Sequence, residues 1–392
     1  MKRLTLLCLA VALLLPATAN AQLTMQMSNG WAFTFAGNVN VFWSFTKQAN
    51  SGPSNSNIRT GLLPTFATFE ARGKEAGFNL GIHFGFAPQI QNFNGAHDQF
   101  GANIDMRQVY LTIGGAWGQI LAGRELSLFG RQNIVNDMTL YGVGAVGIGQ
   151  GNTQGGGTTL GRIGYGYIYP NFNAQVTYTS KPGTPAQLSV GLFQPSRNVG
   201  GYIYTSIPRL EAEVTWNHKS GNSKWLVWGG GLWQSTKNGF APGANTLSSF
   251  GGTLGIKGDI SDLSVVVNGY IGKGIGTFLM FGGTAGGGVA AGGTEGRPSD
   301  GGYAQLMYRL DPKWTAGASW GFSRLKNSST AVASGGDGNS AVRTQWTMTT
   351  LGLYHQWTKS LKLVFEGSRE QQGIGAGSPA QIDLAAGFML FF

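Results

Sequence analysis

Few residues in this chain have types and spacing that could do chemistry. Gly142-Val143-Gly144-Ala145-Val146-Gly147 fits G-x-G-x-x-G, in which glycines let backbone amides close around a phosphate. Gly317-Ala318-Ser319-Trp320-Gly321 fits the G-x-S-x-G elbow that presents a nucleophilic serine. Both need a strand that turns into a helix at that point. No strand-helix-strand unit surrounds the first, the second lies within a strand, and with 65 glycines among 392 residues such matches arise by chance. His83, His97, His218 and His355 have no spacing that would pair them as metal ligands. An outer-surface hydrolase would need a serine and a histidine facing outward on neighbouring strands, and His83 reads as inward. The only cysteine, Cys8, lies in an apolar leader. No catalysis, cofactor, metal or nucleic-acid partner is therefore expected.

What remains is a group of charges around one long connection. Residues 127–161 run well past the ~12 to 15 residues at which an irregular loop calls for a task. Arg131 and Asp137 lie within this stretch, Glu125 just before it, Arg162 just after it and Arg107 on an earlier strand. Such groups either pin a loop through ion pairs and hydrogen bonds or line a passage with opposed charge.

The elements that must carry these residues are strands. From Trp31 to Phe392 about sixteen amphipathic segments alternate short connections, rich in Gly, Pro, Asn, Asp and Ser, with long ones. Phe78, Leu80, Ile82, Phe84 and Phe86 share one face of the third segment, while Asn79, Gly81, His83, Gly85 and Ala87 share the other. In residues 315–322 Ala316, Ala318, Trp320 and Phe322 face outward, which leaves Ser319 inward; in residues 361–368 Lys362 and Glu366 fall inward. The last eleven residues alternate Ile382, Leu384, Ala386, Phe388, Leu390 and Phe392 on one face, and the chain stops on that aromatic. Charged residues make up 11% of the chain, too few for an ordinary soluble surface, and 46 aromatics (23 Phe, 12 Tyr, 11 Trp) suit interfacial girdles. No apolar run beyond residue 21 is long enough for a spanning helix. Expected, therefore, is an all-β transmembrane antiparallel barrel of about 16 strands, with 18 possible because Pro170-Asn171 could be a turn or a bulge. Small and polar inward residues suggest a water-filled lumen.

Lys2, Arg3, the apolar run 4–15, Pro16 and Ala19-Asn20-Ala21 have the three regions of an export signal, so residues 1–21 are expected to be removed and residues 22–392 to form a single barrel domain. The mature chain then has 25 basic and 17 acidic residues, a net charge of +8. That favours anionic partners, either lipid head groups at the rim or solutes in a pore.

Arg107-Gln108-Val109-Tyr110-Leu111-Thr112-Ile113-Gly114 followed by Trp117-Gly118-Gln119-Ile120-Leu121-Ala122-Gly123-Arg124 resembles the fourth and fifth strands of the trimeric sixteen-stranded porins of Gram-negative outer membranes. Arg162-Ile163-Gly164-Tyr165 resembles the strand those porins place after their long third loop. Residues 121–129 and 272–276 look closer to the dicarboxylate-uptake branch, although its helical amino-terminal extension and the Pro-Glu-Phe-Gly-Gly run of general porins are both missing. The resemblance implies that the long third loop folds into the pore and that Arg107, Glu125, Arg131, Asp137 and Arg162 form the constriction. It further implies that Phe392 is the assembly signal read by the barrel-assembly machinery, and that the chain forms a homotrimer in contact with outer-membrane lipid and lipopolysaccharide. The function so implied is passive diffusion of small hydrophilic solutes, with a weak anion preference. The alternative is a channel preferring small organic anions such as dicarboxylates.

Overall fold

A computed structural model describes residues 23–49, 52–91, 104–148, 157–196, 202–281, 295–326, 344–373 and 379–392; the expected export signal lies outside them. Every ladder is antiparallel. The wall strands are β2 (Ala32–Gln48), β4 (Phe66–Glu75), β5 (Phe78–Pro88), β6 (Ile104–Gly115), β7 (Gly118–Leu126), β8 (Phe172–Ser180), β9 (Ala186–Phe193) and β10 (Arg209–Ser220). They continue through β11 (Ser223–Lys237), β12 (Thr246–Ile260), β13 (Leu263–Lys273), β14 (Pro298–Arg309), β15 (Trp314–Leu325), β16 (Thr344–Gln356), β17 (Leu361–Gly373) and β18 (Ala380–Phe391). Each pairs with the next, and β18 pairs back onto β2 from Gln381↔Gln48 to Phe391↔Asn38, so sixteen strands close a barrel. Closure leaves no sheet edge and satisfies the backbone within the wall, as a lipid environment demands.

Two short strands supplement the wall. β1 (Leu23–Gln26) pairs with β2 at Ala32 to Phe35, below the point where β18 ends. β3 (Ser54–Arg59) pairs with the other half of β2, Phe42 to Lys47, beyond the stretch taken by β4. Between β3 and β4, residues 60–65 turn inward and are buried, held by the Asn40 side chain donating to the Leu63 carbonyl (2.9 Å) and Asn38 donating to that of Pro64 (3.2 Å).

The period-2 pattern explains which way each side chain faces. On β5 Phe84 is 40% exposed on the outside, while the adjacent His83 is 8% exposed inside. Trp320 points out and Ser319 in, as alternation dictates. Trp117, Trp216, Tyr308 and Trp357 stand exposed beside the short turns, the place of an interfacial aromatic girdle. The turn at Asp311 is an Asx turn whose carboxylate accepts the amides of Lys313 (2.7 Å) and Trp314 (2.9 Å).

Two expectations are corrected. Residues 162–165 are not a strand: they make isolated bridges only, and the next strand begins at Phe172 after Asn171, whose φ of 63° turns the chain. The third long loop thus runs over residues 127–171, and Pro170-Asn171 ends it without adding strands. Nor is the lumen lined by small and polar residues alone. Trp228, Tyr303, Tyr354, Met389 and Phe391 are buried with Ile134, Leu140, Val143 and Ile163 of the loop in one apolar cluster.

Candidate functional site

Early in the loop after β7 the Phe129 amide donates to Glu211 (2.9 Å). A five-residue helix, α1 (Arg131–Val135), follows, and a 3-10 turn at Met138–Tyr141. Arg131 and Gln132 both donate to Glu213 of β10. Asn133 accepts from the Trp228 indole (2.8 Å) and donates to Thr253 (3.0 Å), and its carbonyl accepts from the Tyr303 hydroxyl (2.7 Å). The Gln305 side chain accepts the Met138 amide (2.6 Å) and donates to the Asn136 carbonyl (3.2 Å). Asp137 caps the 3-10 turn through the amide (3.0 Å) and hydroxyl (2.6 Å) of Thr139 and accepts from Tyr167 (2.9 Å). The Lys362 ammonium sits 4.3 Å over the Tyr141 ring.

The G-x-G-x-x-G stretch then meets β17. Val143 and Gly144 both donate to Glu366 (2.8 Å each), and Val146 and Gly147 to Glu370 (2.8 and 3.0 Å). The backbone amides suited to a phosphate instead hold two carboxylates of the barrel's own wall. A Cβ at Gly142 would push the Glu366 carboxylate from its place, and Gly144, with φ +57° against the Gly161 backbone, requires glycine. Tyr354 and Tyr165 donate their hydroxyls to Glu366 and Glu370 respectively. The loop therefore follows the inner wall from β10 round to β18, where Gln381 donates to the Gly147 carbonyl (3.3 Å).

The five charged residues singled out in the sequence fall into three places. Glu125 accepts from Gln108 (2.8 Å) and from the Leu126 amide (2.7 Å), and Gln108 in turn contacts His83 (3.3 Å). Arg131 lies against Glu213, within electrostatic reach of Glu125. Asp137 and Arg162 form a second place: Arg162, fully buried, donates to Ser319 and to the Met348 carbonyl (3.2 Å), 5.8 Å above the Tyr303 ring, and feels the charge of Asp137. Arg107 stands apart from both. A bulge pairs Gly85 with Gln108 and Phe86 with Met106, so Arg107 is the extra residue; it donates to Asp105 (2.9 Å) and to the Tyr169 hydroxyl (3.3 Å).

Sequence reasoning overlooked Arg209, Glu211 and Glu213. Arg209 is fully buried and donates to Glu211 (2.7 Å). Their signal was present: from Arg209 to Val214 charges alternate with Leu210, Ala212 and Val214, so they share one face of the strand. Opposite the loop, Glu70, Arg72 and Lys74 of β4 share the face of His83; Arg72, its side chain 40% exposed, donates to Glu70 (2.8 Å).

A closed sixteen-stranded barrel with a long loop bound inside it is a channel architecture, and one family model decides its kinship: the Gram-negative porin model matches residues 7–373. The chain belongs to the Gram-negative porin family. This porin is a non-enzymatic outer-membrane channel for solute diffusion. No curated protein matches its sequence. Among solved structures it is similar to the outer membrane channel DcaP of Acinetobacter baumannii, with TM-score 0.67 and 15% identity over 94% of this chain and 99% of that one. It is also similar to an anion-selective porin from Comamonas acidovorans, with TM-score 0.64 and 13% identity over 92% and 100%. OmpT of Vibrio cholerae in its trimer form gives TM-score 0.53 and 12% identity over 93% and 100%.

Proposed function

We propose that this porin passes small hydrophilic solutes with a weak preference for anions, through a lumen narrowed by the loop 127–171, with Arg131, Asp137 and Arg162 on the loop and Arg107 and Glu125 on the adjoining strands. One observation carries the preference: the carboxylates on the loop side are occupied by protein donors and buried, whereas Arg72 on β4, although paired with Glu70, keeps its side chain 40% exposed. Glu211, Glu366, Glu370 and Asp137 each accept two or more protein donors. A passing anion then meets an exposed guanidinium, while these four carboxylates offer a cation little accessible charge. The extra local charge is small and screened over about 8 to 10 Å, so the bias is a few-fold.

A homotrimer in contact with outer-membrane lipid and lipopolysaccharide, delivered by an export signal and inserted by the barrel-assembly machinery through Phe392, completes the reading. The dicarboxylate alternative is supported by the sequence resemblance of residues 121–129 and 272–276. Liposome swelling separates the two. Equal rates for succinate and an uncharged solute of similar size would refute any anion preference; rates a few-fold higher for succinate, rising linearly with concentration, fit the general channel. Saturating succinate uptake fits the alternative.

A further inference from the structure

Four outward positions at the long-loop end of β13 to β15 form a patch that the channel does not use. Lys273 ends β13, Asp300 is the third residue of β14, Arg324 is the penultimate residue of β15 and Lys326 lies just beyond it, all on the parity of the exposed Ile271 and Trp320. Asp300 accepts from Arg324 (Nε, 2.7 Å) and lies 3.3 Å from the Lys326 ammonium, while Lys273 is 3.8 Å from Glu295. The Arg324 guanidinium rests 4.8 Å above the Phe322 ring, and Arg297 adjoins through a bond from Nε to the Lys326 carbonyl (3.2 Å). Four cations thus surround two carboxylates, with Asp300 holding two of the cations in place.

Beside and below these cations the same face is apolar. Phe250 and Ile271 pair with Lys273 and Asp300 respectively, and further from the long-loop end Leu254 and Trp320 are exposed. Gly269 and Gly302 pair in register between them and leave a shallow furrow without side chains. Fixed cations above an apolar, furrowed belt match an amphiphile with anionic groups at its head and acyl chains beneath. Isolated inorganic phosphate would use the cations alone and leave the belt without a role.

We propose that Lys273, Arg324 and Lys326 bind the phosphate groups of an outer-leaflet glycolipid whose acyl chains lie over Phe250, Ile271 and Trp320. This rests on the outer-membrane reading above and locates its lipid contact. The test uses the full-length protein refolded lipid-free in detergent with EDTA and titrated with bisphosphorylated lipid A, read by native mass spectrometry. Lys273→Ala with Lys326→Ala leaves the Arg324 to Asp300 pair intact and should weaken binding about fivefold per lysine. Removing both phosphates from the lipid should do the same. Lys313→Ala with Lys359→Ala, at the short-turn end, should change nothing, and millimolar inorganic phosphate should not displace the lipid. Unchanged affinity in the first pair, equal loss in the second, or displacement by inorganic phosphate would overturn the assignment. Single-channel conductance of the same samples, which these exterior substitutions leave as in wild type, reports on the channel reading separately.

Discussion

Phe84 and His83 are neighbours in sequence and face opposite solvents. An arginine at Phe84 would meet hydrocarbon and should cost about 2 to 4 kcal/mol, whereas at His83 it would meet Glu70, 3.5 Å from the present ring, and be much milder. Urea unfolding in bilayers measures the difference, and equal tolerance would contradict the facing of β5. Glu366 is the other informative residue. Glu366→Ala leaves the Val143 and Gly144 amides without their acceptor and should cost about 1 to 3 kcal/mol; a loosened loop should make single-channel current larger and noisier. A quiet channel of wild-type conductance would show that the loop does not depend on this anchor. Facing at this scale was legible because alternation is local. Ser319 could be placed inside from its neighbours, but that it holds Arg162, 157 positions away, could not, because contacts across a lumen have no local signature.

At the scale of elements, the closing strand ends where β2 receives it. Phe392 exchanges two backbone hydrogen bonds with Gly37 (2.8 and 3.0 Å), and its ring lies 5.1 Å from that of Phe35. One apolar contact at a rim is worth at most a few kcal/mol, so deleting Phe392 should reduce insertion in cells and leave detergent refolding nearly intact. Normal surface levels of the truncated chain would contradict its role as a signal. The Asp311 turn makes a pH prediction. Two amide donors hold this carboxyl below the usual carboxylate range, so its contribution is present above the unfolded value of about 4 and is lost as pH falls through the lower folded value. Asp311→Asn should therefore destabilise at pH 7 and have no effect at strongly acid pH, measured by thermal melting. The wall strands and short turns were readable from periodicity and turn residues. β3 was not, since Ser54-Asn55-Ser56-Asn57 offers no apolar face and forms a strand only because β4 leaves half of β2 unpaired. Residues 162–165 resemble the strand that porins place after their third loop, yet their partners are the loop itself and the lumen wall.

For the whole molecule, low charge, abundant glycine and aromatic residues indicated a barrel, and sixteen strands close it with β1 and β3 as additions. The interior was less legible, because the sequence cannot say how far around the wall a long loop will travel, and that path decides which carboxylates it covers. The measurement that bears most directly on the resulting channel is the zero-current potential across a planar bilayer in a potassium chloride gradient. Wild type should show a few-fold anion preference, and Arg72→Ala should move the potential toward cations while Lys326→Ala on the outer face leaves it in place. A clearly cation-selective wild type, or an Arg72→Ala channel with an unaltered potential, would contradict the account.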